Sequence, residues 1–204
     1  MRRHAAVLAL ASLLGAAPVS AAAQATGTTT FNAPYRAFVR SEIGVSLSFP
    51  NGGGTALEGA YRIASHGFDL GFKAGFFTPS GAGDTELLLG AEARQRVITH
   101  TIDFPLDGAV IVGVGGNFVS GASQLIIPVG LSLGRRVDPR GSTVSIVPYV
   151  QPTMYVLAGS VVTNHVRFAL GLGADFRLSR VFDARISAGL GDSEGVSIGA
   201  VWVH

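Results

Sequence analysis

The stretch "HVRFALGLGADFRLS", His165 to Ser179, sorts its residues by parity. Even positions read Val166, Phe168, Leu170, Leu172, Ala174, Phe176 and Leu178. Odd positions read His165, Arg167, Ala169, Gly171, Gly173, Asp175 and Arg177. Alternation with a period of two is the signature of a β-strand with one apolar face. Strands of soluble proteins run to ~5–6 residues. Here the apolar ladder from Val166 to Leu178 covers twelve residue steps. At ~3.4 Å per step that is about 41 Å. Tilted by ~45° it projects to about 29 Å, near the ~25 Å apolar band of a transmembrane barrel.

The same alternation runs through the chain from Arg36 onward. It predicts strands over 36–49, 56–65, 68–77, 85–99, 109–119, 125–137, 143–157, 165–179, 183–191 and 196–204. Connections such as "PNGGGT", "TPSGAGD", "HTIDFPLD", "DPRGS" and "DSEG" carry turn residues. No helical period follows residue 25. The reading is an all-β, closed, antiparallel up-and-down transmembrane β-barrel of ten strands, with eight as the alternative count. Pro148 and Pro152 interrupt the seventh segment, where each removes a ladder donor.

Charge supports the assignment of faces. A cation facing lipid at mid-bilayer costs roughly 2–4 kcal/mol, so one parity of every strand must exclude charge. The apolar parity holds Phe72, Leu89, Val112, Leu131, Phe168, Leu170, Leu172, Phe176 and Trp202, which are expected to face lipid. Its one strongly polar member is Gln95. The opposite parity collects Glu42, Glu58, Arg62, Asp69, Lys73, Glu86, Glu92, Arg94, Arg96, Arg167, Asp175, Arg177, Asp183 and Arg185, expected to face the lumen. Both signs are present, so they can pair there, as buried charges must. Glycines on the same parity leave room between them.

The chain opens "MRRHAAVLALASLLGAAPVSAAAQ". Two arginines, an apolar run and a small-residue box describe a cleaved secretory signal over 1–23. The run is shorter than the ~20 residues a membrane anchor needs. A short polar lead follows over 24–35, and the barrel occupies 36–204. Arg2 and Arg3 leave with the signal, so the processed chain carries 13 basic and 13 acidic residues. No run of Lys or Arg remains, which excludes nucleic acid as a partner. The chain is 14% charged and has no cysteine. It therefore lacks the charged coat of a soluble surface, and a disulfide framework and Cys-type zinc sites are excluded.

With these features the chain resembles the small bacterial outer-membrane β-barrel proteins over 36–204. The resemblance rests on the signal, the even set of long alternating strands and the ending "GVSIGAVWVH". It implies outer-membrane lipid and the barrel-assembly machinery as partners, the latter through the C-terminal strand. Members finish on a terminal aromatic. This chain ends on His204, with Trp202 two residues earlier. The resemblance names no oligomeric state.

Motifs for chemistry are weak. "GVSIG" matches a nucleophile elbow in letters, but seven residues follow Ser197 and none is acidic. "GLGADF" has Phe176 where a dinucleotide fingerprint needs glycine. A P-loop is absent. His66, His100, His165 and His204 do not pair at metal spacing, and each falls at or near a strand end. A rim hydrolase would need His165, Ser193 and Asp192 or Glu194 to meet. The expectation is an outer-membrane barrel with a structural or narrow-pore role, no enzymatic activity and no cofactor. The alternative is a secreted, lipocalin-like soluble barrel with an apolar ligand inside and the faces reversed.

Overall fold

The computed structural model describes residues 24–34, 39–160 and 165–204. The signal-peptide assignment and residues 35–38 lie outside them. Ten strands follow in chain order: β1 (Glu42–Pro50), β2 (Thr55–Ser65), β3 (Phe68–Thr78), β4 (Glu86–Ile98), β5 (Asp107–Val119), β6 (Ala122–Gly134), β7 (Ser145–Gly159), β8 (His165–Arg177), β9 (Phe182–Gly191) and β10 (Gly195–Val203). Each pairs antiparallel with its chain neighbours, and β1 pairs with β10 to close the barrel. Closure leaves no strand edge unpaired.

β1 begins and β10 ends at the same mouth, where Glu42 lies opposite Val203. We call this the terminal mouth and the opposite one the far mouth. A two-residue turn joins β2 to β3 at the terminal mouth. Its two turn residues, His66 (φ 41°) and Gly67 (φ 97°), are both left-handed, as a two-residue turn matched to strand twist requires.

The prolines sit where the ladders are interrupted. The β6–β7 register breaks between Gly130↔Thr153 and Leu133↔Val150, opposite Pro152. The β5–β6 register breaks between Val112↔Val129 and Gly115↔Ile126, beside Pro128. Each proline keeps its pairing on the other side, Pro152 with Leu170 of β8 and Pro128 with Tyr155 of β7. A missing donor toward one neighbour is thus absorbed as a short gap, and β7 runs unbroken for 15 residues.

The outward face is apolar. Ile43, Leu57, Phe72, Val112, Phe168 and Leu190 are among its exposed side chains. Leu131, Leu170 and Phe176 share that face and are half-buried by their neighbours. Among the described residues, no Asp, Glu, Lys or Arg stands on the outward parity of any strand. Aromatic rings lie toward both ends of this face. Tyr61, Phe176, Phe182 and Trp202 are nearer the terminal mouth; Phe49, Phe76, Phe118 and Phe168 are nearer the far mouth. Trp202 packs on Phe182 with ring centroids 5.0 Å apart, and His204 stacks on Tyr61 at 5.8 Å. The terminal histidine is therefore held against the outer wall.

Candidate functional site

The lumen is the candidate site, and its walls divide by chemistry. On β6, β7 and β8 the inward positions Ile126, Val147, Tyr149, Tyr155, Leu157 and Ala169 form an apolar sector. On β8, β9 and β1 to β4 the inward positions carry charge.

That charge forms one connected network. Arg62 bonds Asp69 at 2.5 Å and Glu92 at 2.9 Å, with Glu42 at 3.7 Å. Arg94 grips Asp69, its Nη2 at 2.8 Å and its Nε at 3.1 Å. Arg185 holds Glu42 at 2.9 Å and Asp175 at 3.1 Å. Lys73 reaches Glu92 at 3.4 Å. Period-two alternation points all these groups inward, and closure pairs β1 with β10, which leaves β9 one strand away from β1. The guanidiniums supply several donors each, which suits bridging two or three carboxylates. Apart from Arg185, a little more open, the members are nearly inaccessible to solvent. A buried charge left without its partner costs roughly 3–5 kcal/mol.

Parity placed three other arginines with the interior charges, and in the structure they stand at the mouths. Arg96 is exposed at the terminal mouth, and Arg177 is half-buried there. Arg167 is exposed at the far mouth, bonded to Asp192 at 3.1 Å. All three lie near strand ends, where the inward parity opens onto solvent rather than onto the packed lumen. Glu58 is buried in the lumen and makes a 3.5 Å contact from Thr30, while its Oε1 meets no partner among the described residues.

The sequence reading placed a short polar lead before the barrel. Its residues 24–34 instead run through the lumen and fill it. Gln24, Ala25, Thr26, Thr28, Thr29, Phe31, Asn32 and Ala33 are all buried. Backbone groups buried away from water need partners, and the wall supplies them. Tyr149 donates to the Phe31 carbonyl at 2.9 Å, Ser132 to the Asn32 carbonyl at 2.8 Å and Arg94 to the Ala33 carbonyl at 3.0 Å. Ser187 and Ser197 both donate to the Thr29 carbonyl. Lys73 donates to the carbonyl and hydroxyl of Thr30 and to Gln24 Oε1. The threonines link along the segment, Thr26 to Thr28 at 3.3 Å and Thr28 to Thr30 at 2.9 Å. Phe31 and Ala33 join the apolar sector. In the sequence the signal was faint: residues 24–34 carry no charge and one large apolar side chain.

The remaining motifs resolve as wall. Ser197 of "GVSIG" lies mid-strand in β10, its hydroxyl turned to the Thr29 carbonyl beside that of Ser187. No sharp turn exposes it. At the far mouth the Asp192 carboxylate accepts from the Phe168 N–H at 3.0 Å and from Arg167. Ser193 is buried, its Oγ meeting no partner among the described residues, while His165 is exposed. His100 pairs with Asp107 at 2.8 Å. Among the described residues, no three potential metal ligands converge, and no helix is long and apolar enough to cross a membrane.

The fold and site thus define a closed ten-stranded antiparallel β-barrel, charged within, apolar without and filled by its own leading segment. No family model matches the chain, and no curated protein matches it. Among solved structures it is similar to a de novo designed transmembrane β-barrel, with a TM-score of 0.41 and 15% identity, covering 81% of this chain and 95% of that one. It is also similar to the β domain of the Bordetella autotransporter BrkA, with a TM-score of 0.47 and 12% identity, covering 80% of this chain and 98% of that one.

Proposed function

We propose that this chain is an integral outer-membrane β-barrel, exported through a cleaved signal, whose lumen is sealed by its own residues 24–34. Its role on this reading is structural rather than that of an open pore or an enzyme. One observation carries the membrane assignment: ten strands close into a barrel whose outward parity holds no charged residue among the described residues. A bilayer requires this of a barrel's outer face. The flanking aromatic rings favour the same reading, since aromatic girdles mark both interfaces of such barrels. Lipid is then the main partner, with the β10 strand as the segment read by the assembly machinery.

A soluble barrel holding an apolar ligand needs the reverse arrangement, with an apolar chamber and a charged exterior. Here the buried charges and the 24–34 segment occupy the interior. Ten strands also leave a narrow lumen, whereas aqueous channels come with ~16–18.

The test has two readouts. Folded protein is expected to require detergent or lipid and to shift its gel mobility on boiling. A detergent-free soluble monomer overturns the membrane reading. In planar bilayers the intact chain is expected to give flat traces, and a chain lacking residues 24–34 discrete conductance steps. Steps from the intact chain overturn the sealed-lumen reading.

A further inference from the structure

Five arginines converge at the terminal mouth. Arg40 precedes β1, Arg96 ends on β4, Arg136 follows β6, Arg177 closes β8 and Arg180 lies in the β8–β9 turn. Together they line one cavity of about 690 Å³, with hydroxyls including Ser145. No carboxylate lines it among the described residues. We propose that this cavity is a binding site for a multiply charged, phosphate-bearing anion.

The charge balance is the first argument. Outside the lumen network, the described strand ends and connections of this mouth carry seven arginines and four carboxylates, Asp103, Asp107, Asp138 and Asp183. Asp138 bonds Arg136 at 2.8 Å and accepts from Ser145. Asp183 is buried in β9, cross-strand from Arg177. Seven guanidiniums against four carboxylates leave an excess of positive charge at this mouth, and like charges held together are stabilised by an anion between them. The lumen network does not supply that anion, because its own carboxylates are engaged by Arg62, Arg94 and Arg185.

Positioning is the second argument. Arg40 is oriented by two neutral acceptors, the carbonyl of Arg180 at 3.0 Å and that of Val203 at 3.4 Å. These bonds fix the guanidinium and leave its charge unneutralised. The opposite mouth differs: among the described residues, Asp84, Glu86, Asp192 and Glu194 stand there with the single arginine Arg167. Excess positive charge belongs to one end of the barrel.

Chemistry and size narrow the ligand. Arginine, with no lysine present, suits the planar two-point contact that phosphate oxygens accept. A volume of about 690 Å³ is within the usual ~300–1,000 Å³ of small-molecule sites, and it exceeds what a lone phosphate fills. The phosphates can come from a soluble polyphosphate or from an anionic phospholipid headgroup at the adjacent membrane surface.

The experiment uses the full chain folded in zwitterionic micelles, so it does not depend on the bilayer reading. Inorganic pyrophosphate is titrated calorimetrically at low salt. In a second arm, phosphatidylglycerol retained after purification from mixed micelles is quantified by mass spectrometry against phosphatidylcholine. The variants are Arg40→Gln with Arg96→Gln, and Arg140→Gln as a charge-matched control outside the cavity. Heat-shifted gel mobility verifies folding of each. Saturable pyrophosphate binding, weakened at least tenfold in the double variant and unchanged in the control, identifies a soluble-phosphate site. Selective retention of phosphatidylglycerol alone, lost in the double variant, identifies a headgroup site. Absence of both signals, or equal binding in the double variant and the control, overturns the proposal.

Discussion

Gly171 leaves the space that the ring of Phe31 occupies. A Cβ built on Gly171 would meet three carbons of that ring. The glycine lies in the middle of β8, and the phenylalanine is the one large apolar residue of the 24–34 segment. The contact ties the composition of the wall to the segment that fills it.

Gly171→Val is therefore expected to push Phe31 from the apolar sector. Overpacking of this kind costs about 1–3 kcal/mol, read as a lower urea midpoint in micelles. Gly59→Ala is the matched control. Its Cβ would point outward and meet only the Ala74 carbonyl, at 3.9 Å. Adding Phe31→Ala to Gly171→Val is expected to recover part of the loss, since the two residues touch. Equal effects of Gly171→Val and Gly59→Ala would show that the ring does not occupy this space.

Arg62 is the hub of the lumen network, with Asp69, Glu92 and Glu42 around one guanidinium. Arg62→Met keeps the bulk and strands carboxylates in a closed interior. The expected loss is about 3–5 kcal/mol, measured by denaturant unfolding. Arg140→Met, on an exposed loop, is expected to change little.

Leu172 stands on the outer face near the middle of β8. Leu172→Arg is expected to cost about 2–4 kcal/mol when the protein unfolds from lipid vesicles. In micelles, whose surfaces deform around a charge, the loss should be smaller. Identical losses in both media would argue against a lipid-facing position.

Asp192 lies in the turn beyond β9, outside the spanning strands. The Phe168 N–H, with the Arg167 guanidinium second, holds its carboxyl below the usual carboxylate range. A carboxyl lowered on folding adds stability above its unfolded value, ~3.9, and loses it as pH falls through the folded one. The stability gap between the native chain and Asp192→Asn is therefore expected to be flat above about pH 5 and to close below about pH 4. The site is partly exposed, so solvent screening keeps the gap small. A gap that widens with acid would contradict the assignment.

How much of this was legible follows from what each feature depends on. The faces of β8 could be read from one stretch, because side-chain direction alternates along any strand regardless of its neighbours. The same local rule sorted Glu42, Arg62, Asp69 and Arg94 from Phe72 and Leu172, and the long apolar parities pointed to a closed barrel. At Arg96 and Arg167 the same parity runs on to the mouths, where the side chains meet solvent.

What fills the lumen was not legible. Residues 24–34 have no period, and their partners come from distant strands: Tyr149 reaches Phe31 across 118 positions, and Ser197 reaches Thr29 across 168. The arginines of the terminal mouth likewise come from separate strand ends and connections. Alternation determined which way each side chain points. Only closure of the barrel decided what it meets, because those partners are set by the path of the whole chain.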